Sequence, residues 1–315
     1  LYPYDENMQN CVSLFGDSFT WSDEVTKEFA WSAVLSEFLG CRVGNFGVGG
    51  FGTDQAYLRY LNKTADQAPV VFLNHQSENV LRNVTQFRAL TGGYSSAAVP
   101  LNFKPRYVVD DDGSLQLIDM PTFDSEEYPD VLYDPGSYLT HEYFLPGGQT
   151  GLVRLRFPYS WSLIRSLGHF HIKAWLTGKP WYMELYEPQH PSNGLSITTG
   201  ILLKFRDSAI KRGQIPVITI IPNGLDLTHY NDHGTWPYQN LLDELATNGV
   251  DVLNFGTGIM ERLDDTDPCS LFDNCSAHFN EQGYRYLAEI AAEELTKRGL
   301  APNAAAPLDT TAVTN

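Results

Sequence analysis

The chain has 315 residues, 43% hydrophobic and 13% aromatic, which is enough to bury a large core and too apolar for a disordered chain. Its 21 Lys and Arg against 38 Asp and Glu leave a formal net charge of -17, which argues against nucleic acid as a partner and disfavours anionic membrane surfaces. No apolar run is long enough to span a bilayer; a neutral small-molecule ester or glycan substrate is compatible with the charge, which by itself does not select one.

In chain order, residues 12–16 (VSLFG) read as a short buried strand that breaks at Gly16-Asp17-Ser18. Residues 24–39 then place Val25, Phe29, Ala33, Leu35 and Leu39 along one side of a helix. Residues 42–46 are the next strand. A glycine-rich turn follows, then a helix from Thr53 to Ala65. Residues 69–74 are a third apolar run. Farther on, 196–212 is helical, 215–221 (IPVITII) is the strongest strand, 238–247 is helical and 250–255 strand-like. Residues 280–298 form a last amphipathic helix ending near Gly299. The Ala/Pro/Thr-rich tail 301–315 reads as disordered.

Strands alternating with helices imply a parallel sheet covered on both faces, a three-layer α/β/α sandwich. In such sheets ligands bind beyond the carboxyl ends of the strands. Polar and glycine residues concentrate at three such places: Ser18 after the first strand, Gly47, Gly49 and Gly50 after the second, and Glu78 and Asn79 after the third. The region 91–191 interrupts the alternation and reads as an inserted cap on a single domain spanning 1–300. Its segment 107–142 carries ten acids and no Lys or Arg. Its segment 143–183 carries Arg154, Arg156, Arg165, Lys173 and Lys179 and no acid. Two electrostatically complementary halves and two separately solvated faces fit this pattern equally.

The four cysteines show no zinc spacing. Four buried thiols are one reading. Two disulfides are the other: Cys11 with Cys41, which open neighbouring strands, and Cys269 with Cys275, which close a small loop. The pairings predict an oxidising, secreted or periplasmic compartment. The chain opens on Leu1 rather than Met, as expected once a targeting segment has been removed. Asn62, Asn83 and Asn274 each match the glycosylation acceptor pattern.

Ser18 stands between a strand and a helix, where its hydroxyl reaches the mouth of the sheet and its backbone N–H is free to stabilise an oxyanion. An ordinary helix-capping serine looks the same. Gly50, five residues after Asn45, offers a second N–H. Gly47, Gly49 and Gly52 also spell the dinucleotide fingerprint G-x-G-x-x-G, with Glu78 as a ribose-binding acid. A complete strand–turn–helix precedes that motif, whereas the fingerprint belongs after the first strand. Asn79 supplies a neutral amide donor or a helix cap. His278 sits at a loop–helix junction and can reach the same mouth or serve structure alone.

Taken together, the GDS serine, the glycine turn after Asn45, the Asn after the third strand and the His before the last helix resemble the SGNH (GDSL-like) hydrolase family. The resemblance covers residues 11–90 and 196–298. It implies a flavodoxin-like fold with a five-stranded parallel sheet. It implies a serine nucleophile at Ser18, a general base at His278, an oxyanion hole from Ser18, Gly50 and Asn79, and no metal or organic cofactor. The G-x-S-x-G motif of ordinary α/β-hydrolases is absent around Ser18. Two positions depart from the family pattern. The third block reads Ser77-Glu78-Asn79 in place of Gly-x-Asn-Asp. The acid three residues before the histidine is replaced by Cys275, which leaves Asp273 to complete a triad, or a Ser–His dyad. The expected reaction is hydrolysis of a short acyl ester, such as an acetyl group on a carbohydrate. Acyl transfer onto a glycan, a dinucleotide-dependent oxidoreductase and a non-catalytic binding module are the alternatives.

Overall fold

A computed structural model describes residues 8–91, 103–110, 112–148, 151, 153, 155–264, 266–275 and 277–301. The strands are β1 (Val12–Phe15), β2 (Val43–Asn45), β3 (Val70–Gln76), β4 (Arg106–Val109), β5 (Leu115–Ile118), β6 (Ile215–Ile221) and β7 (Val252–Asn254). The helices are α1 (Ser18–Trp21), α2 (Trp31–Leu39), α3 (Thr53–Asn62), α4 (Asn79–Asn83), α5 (Tyr128–Tyr133), α6 (Tyr159–Ser166), α7 (Phe170–Thr177), α8 (Gly194–Lys211), α9 (Gly224–His233), α10 (Gln239–Thr247), α11 (Phe255–Leu263) and α12 (Glu281–Lys297).

Five strands pair in the order β2-β1-β3-β6-β7, all parallel, with Val12 in register with both Val43 and Val70, and Ile218 with Val252. A parallel sheet is buried on both faces, which is why β1 and β3 show no apolar–polar alternation: every residue of both strands is buried. Helices α2, α11 and α12 pack together as one covering layer, and α3, α4, α8 and α10 as the other. This is the predicted three-layer sandwich. The chain runs to β2 on one side of β1 and then to β3 on the other, so strand direction of growth reverses at β1. A crevice opens there, beyond the carboxyl ends of β1 and β3. Both predicted disulfides form, Cys11–Cys41 and Cys269–Cys275, with Cα separations of 6.1 and 4.7 Å. Tying β1 to the start of β2 across 30 residues stabilises the fold by about 3–4 kcal/mol on chain-entropy grounds.

The helix expected over 24–39 begins only at Trp31. Ser22 and Glu24 hold φ of 71° and 74°, a left-handed conformation that no helix interior accepts. Ser22 ends α1, and its hydroxyl accepts the Trp31 backbone N–H at 3.2 Å, while the Trp31 indole donates to the Thr20 carbonyl at 3.2 Å. Val25 and Phe29 mimicked a helical stripe but lie in a loop. Helices α9 and α11 were not anticipated, and α4, the helix that Asn79 was expected to cap, has Asn79 as its first residue and Glu78 as its cap. In α9 the start is fixed by Asn223 and Asp226, each side chain accepting the other's backbone N–H.

The two halves of the insertion behave differently. The first packs onto the body. Strands β4 and β5 form an antiparallel pair that rests on α8, with β4 also against α3. Glu142 accepts the backbone N–H groups of Gln86 and Phe87 at 2.6 and 2.9 Å, and Arg106 donates to the Val84 carbonyl at 2.6 Å. Lys104 and Asp54 form a fully buried ion pair. Among the described residues no ion pair links the acidic half to the basic half, because Glu142 is engaged by backbone amides and Lys173 pairs with Glu184 at 2.5 Å. The tail from residue 302 lies outside the described residues. Asn83 is fully buried and donates to Thr198 at 3.0 Å, which removes it as a glycan acceptor in the folded chain.

Candidate active site

Asp17 organises the turn after β1. One carboxylate oxygen caps α1 by accepting the Phe19 N–H at 3.0 Å. The other accepts from Asn79 Nδ2 at 2.9 Å and Arg82 Nη1 at 3.3 Å. The end of β1 is thereby tied to α4, the short helix after β3. Asp17 is fully buried, so this paired carboxylate is a rigid junction rather than a surface charge. Ser18 is the first residue of α1 and its backbone N–H precedes the helical hydrogen-bond ladder.

The glycine turn after β2 closes on the same place. A Cβ on Gly47 would stand 2.4 Å from the Trp21 backbone nitrogen, so only glycine lets this turn lie against α1. Gly50 occupies φ 81° in a Val48–Phe51 turn closed by a 3.2 Å hydrogen bond. Two arginines bracket it: Arg88 donates to the Gly50 carbonyl and Arg82 to the Phe51 carbonyl at 2.9 Å. Neither arginine stood out in the sequence, although both follow Asn79 within nine residues.

His278 comes from the loop before α12. That loop is pinched by the Cys269–Cys275 disulfide and by a bridge pairing Phe272 with Phe279, and Asn280 caps α12. The imidazole packs against the Phe19 ring, with centroids 4.8 Å apart. Its Nε2 lies 2.8 Å from Ser18 Oγ. Thus a serine and a histidine 260 residues apart meet at hydrogen-bond distance. Asp273 is placed otherwise than expected. Its backbone N–H reaches the His278 carbonyl at 3.4 Å, and its carboxylate does not pair with the ring. The hairpin pairing uses Asp273 as backbone. The carboxylate facing Nδ1 is Glu24, at 3.4 Å, projected from the left-handed backbone that replaced the first turns of the expected helix. Neighbouring Asp23 has its carboxyl raised above the usual range, chiefly by burial, with the nearby imidazole opposing the shift. Sequence spacing to His278 could not have found Glu24, which lies six residues after Ser18.

A cavity of about 250 Å³ opens beside His278, lined by Phe19, Leu81, Arg82, Arg88, Trp181 and His278 among others. Behind it runs a buried polar chain. Asp226 accepts from Ser77 Oγ and from Tyr182 OH, the latter at 2.6 Å, and burial pushes its carboxyl up to about 6 against those hydrogen bonds. Tyr186 OH donates to the Ser77 carbonyl at 2.5 Å, so it accepts from His75 Nε2 at 2.7 Å. His75 Nδ1 in turn accepts from Thr53 Oγ1 at 2.6 Å. His75 is a neutral, fully buried imidazole pushed down to about 3 by burial. These groups lock the loops after β3 and β6.

The dinucleotide alternative fails on geometry. The first-turn N–H groups of α3 would have to hold a pyrophosphate. Instead Gln55 N–H bonds the Asp54 carboxylate at 2.8 Å and Asp54 N–H bonds Asn83 at 3.3 Å, so an anion of the chain itself already occupies that helix end. Glu78 pairs with Arg82 at 3.6 Å. Among the described residues no group of three His, Cys, Asp or Glu side chains is arranged to hold a metal, and no helix is long and apolar enough to cross a membrane.

No family model matches the chain, and no curated protein sequence matches it. Similar solved structures include a member of the lipolytic protein G-D-S-L family from Veillonella parvula, at 14% identity, 91% of this chain, 98% of that chain and TM-score 0.43. A GDSL-like lipase from Bacteroides thetaiotaomicron is 9% identical, over 95% of this chain and 92% of that one, with TM-score 0.41. The acetyl xylan esterase Est2A from the rumen bacterium Butyrivibrio proteoclasticus is 10% identical, over 94% of this chain and 67% of that one, with TM-score 0.38.

Proposed function

We propose that the protein is a serine esterase of the SGNH type, secreted or periplasmic, that hydrolyses short acyl esters through an acyl-enzyme on Ser18. The observation that carries this reading is the 2.8 Å approach of Ser18 Oγ to Nε2 of His278, a residue that lines the cavity. In the reaction His278 Nε2 takes the proton from Ser18 Oγ as that oxygen bonds to the ester carbonyl carbon. The carbonyl oxygen becomes an oxyanion, held by the backbone N–H groups of Ser18 and Gly50 and the second amide hydrogen of Asn79. Nε2 then returns the proton to the alkoxide oxygen as the C–O bond breaks and the alcohol leaves. Water, activated by the same nitrogen, releases the acid and restores Ser18. Glu24 takes the place once expected of Asp273, keeping the Nδ1 proton in position and stabilising the imidazolium.

The cavity is smaller than an ordinary drug-sized ligand site of roughly 300–1,000 Å³, which favours an acetyl-sized acyl group. Trp181 on its wall suits the apolar face of a sugar ring as the alcohol partner. The two disulfides support the extracytoplasmic location. The reading is tested with a fluorophosphonate probe and intact-mass detection: one adduct on the parent, none on Ser18→Ala. Parallel turnover of p-nitrophenyl acetate and longer-chain esters should fall steeply with chain length. An unlabelled, inactive parent would overturn the assignment.

A further inference from the structure

Nine of the eighteen exposed large hydrophobic side chains described in the molecule lie within residues 155–176. Phe157 is 87% exposed, Trp175 81% and Leu163 70%, and Leu155, Trp161 and Leu167 stand beside them in sequence. Helix α7 buries none of its residues, and α6 buries only Ser162. A monomer in water does not keep so dense an apolar surface without a partner, since each such side chain gains on leaving water. The core of the protein shows that this chain buries its apolar residues where it has the means, so the hairpin is a place where burial awaits something else.

The polar residues of the hairpin say what. From 143 to 183 there is no acid, in a chain of net charge -17. Lys173 is neutralised by Glu184, which leaves Arg156, Arg165 and Lys179 exposed around the apolar face. Trp, Tyr and Phe interleaved with aliphatic residues and ringed by Arg and Lys form the composition that partitions into a bilayer interface with anionic headgroups. An apolar cleft of about 600 Å³, lined by Val153, Leu155, Tyr159, Leu163 and Ile172, lies between the segment before α6 and α7 and can receive a lipid chain. We propose that the α6–α7 hairpin docks on an anionic lipid surface. The negative body does not prevent this, because charges farther than about 8 Å from the contact are screened at physiological salt while the basic rim acts at contact.

Two other occupants fit less well. A second copy packed face to face would set Arg156, Arg165 and Lys179 against themselves. A glycan would use the aromatic rings but leave Leu155, Leu163, Ile164 and Leu167 without a role. Docking would also orient catalysis, because His171 of α7 and Trp181 just beyond it line the catalytic cavity. The hairpin is thus one wall of the site as well as its outer face.

The proposal does not depend on the esterase reading, and its test does not use turnover. The full chain is floated with large unilamellar vesicles of phosphatidylcholine containing about one-third phosphatidylglycerol, and with phosphatidylcholine alone. The parent should float with the anionic vesicles and less with the neutral ones. Trp161→Asp combined with Trp175→Asp should lower the partition at least about tenfold. A fold check by circular dichroism and melting on the same samples should show parent-like values for this exposed-site variant. If the parent stays at the bottom with anionic vesicles, or the folded variant floats as well as the parent, the proposal is overturned. It is equally overturned if sedimentation shows a dimer that the double variant dissolves and no vesicle binding, which would assign the face to a second copy.

Discussion

Two regions meet at His278, and they are built differently. The carboxyl-end edge of the sheet, beyond the central strands β1 and β3, supplies Ser18 and Asn79. Both are buried, and Asp17 ties them together through hydrogen bonds to α1 and α4. The loops at 22–30 and 266–280 supply Glu24 and His278. Here the backbone is irregular, the Glu24 side chain is 43% exposed, and order comes from a disulfide and from the grip of Ser22 on Trp31. On the function proposed above, the rigid side holds the oxygen that attacks the acyl carbon and the amide that stabilises the oxyanion. On the same proposal, the looser side holds the general base and the carboxylate beside it. In a low-dielectric, buried setting each group is worth more than in a half-exposed one, so substitutions should hurt most at the sheet edge.

The largest effect is expected for Ser18→Ala, which removes the bond-forming oxygen. Ester turnover should drop by about 10³-fold or more with an unchanged melting temperature. An active Ser18→Ala variant would dissolve the whole comparison. Asn79→Ala should follow, at about 10²–10³-fold in kcat with a small change in KM. Because Asn79 also donates to the buried Asp17, about 1–2 kcal/mol of stability should go with it. A stability loss with a parent-like rate would make Asn79 a strut rather than an oxyanion donor.

The buried chain behind the sheet edge predicts a pH signature. Asp226 has its folded carboxyl raised to about 6 from 3.8, so its contribution to stability is full below pH 4 and disappears as pH rises through 6. His75 works in the opposite sense. Its folded pKa is depressed to about 3 from 6.5, so its contribution is full above 6.5 and is lost as pH falls. The two slopes oppose each other between pH 4.5 and 6.5. In Asp226→Asn only the His75 slope remains of this pair. Relative to the parent, that variant should lose about 2 kcal/mol more on going from pH 6.5 to 4.5, read by urea unfolding at each pH. Parallel curves would show that Asp226 is not raised.

What the sequence made legible divides along the same line. The strands were visible because parallel strands buried on both faces are unbroken apolar runs, VSLF and IPVITII among them. Ser18, Asn79 and His278 were visible because each stands at an element boundary. Glu24 was hidden inside a false helical stripe: Val25 and Phe29 have the right spacing, but the backbone is left-handed at Ser22 and Glu24, and Ser22 is held by its hydrogen bond to Trp31, nine residues on, which no local pattern encodes. Asp273 looked eligible because sequence distance to His278 was short, whereas the pairing of Phe272 with Phe279 commits that stretch to a backbone hairpin. Arg82 and Arg88 were illegible for a related reason. Their partners are carbonyls of the glycine turn, more than thirty residues away.

The smallest effect belongs to the loop side, and it decides between two carboxylates. Glu24 stands 3.4 Å from His278 Nδ1, a distance beyond a strong hydrogen bond, on a side chain that water reaches. A buried aspartate hydrogen-bonded to its imidazole is worth about 10⁴-fold in a serine triad. A screened, longer contact should be worth far less, so Glu24→Gln is expected to lower kcat about tenfold with KM little changed. The amide keeps the shape and removes the charge. If the effect is electrostatic, the gap between parent and variant should narrow as salt is raised from low ionic strength to about 1 M, where the Debye length is near 3 Å. Loss of packing would not respond to salt. Asp273→Asn, measured alongside, should stay within about twofold of the parent, since its carboxylate does not pair with the ring. If instead Asp273→Asn is the more damaging and Glu24→Gln is silent, the acid belongs to the hairpin after all, and the loop at 22–30 is only a brace for α1.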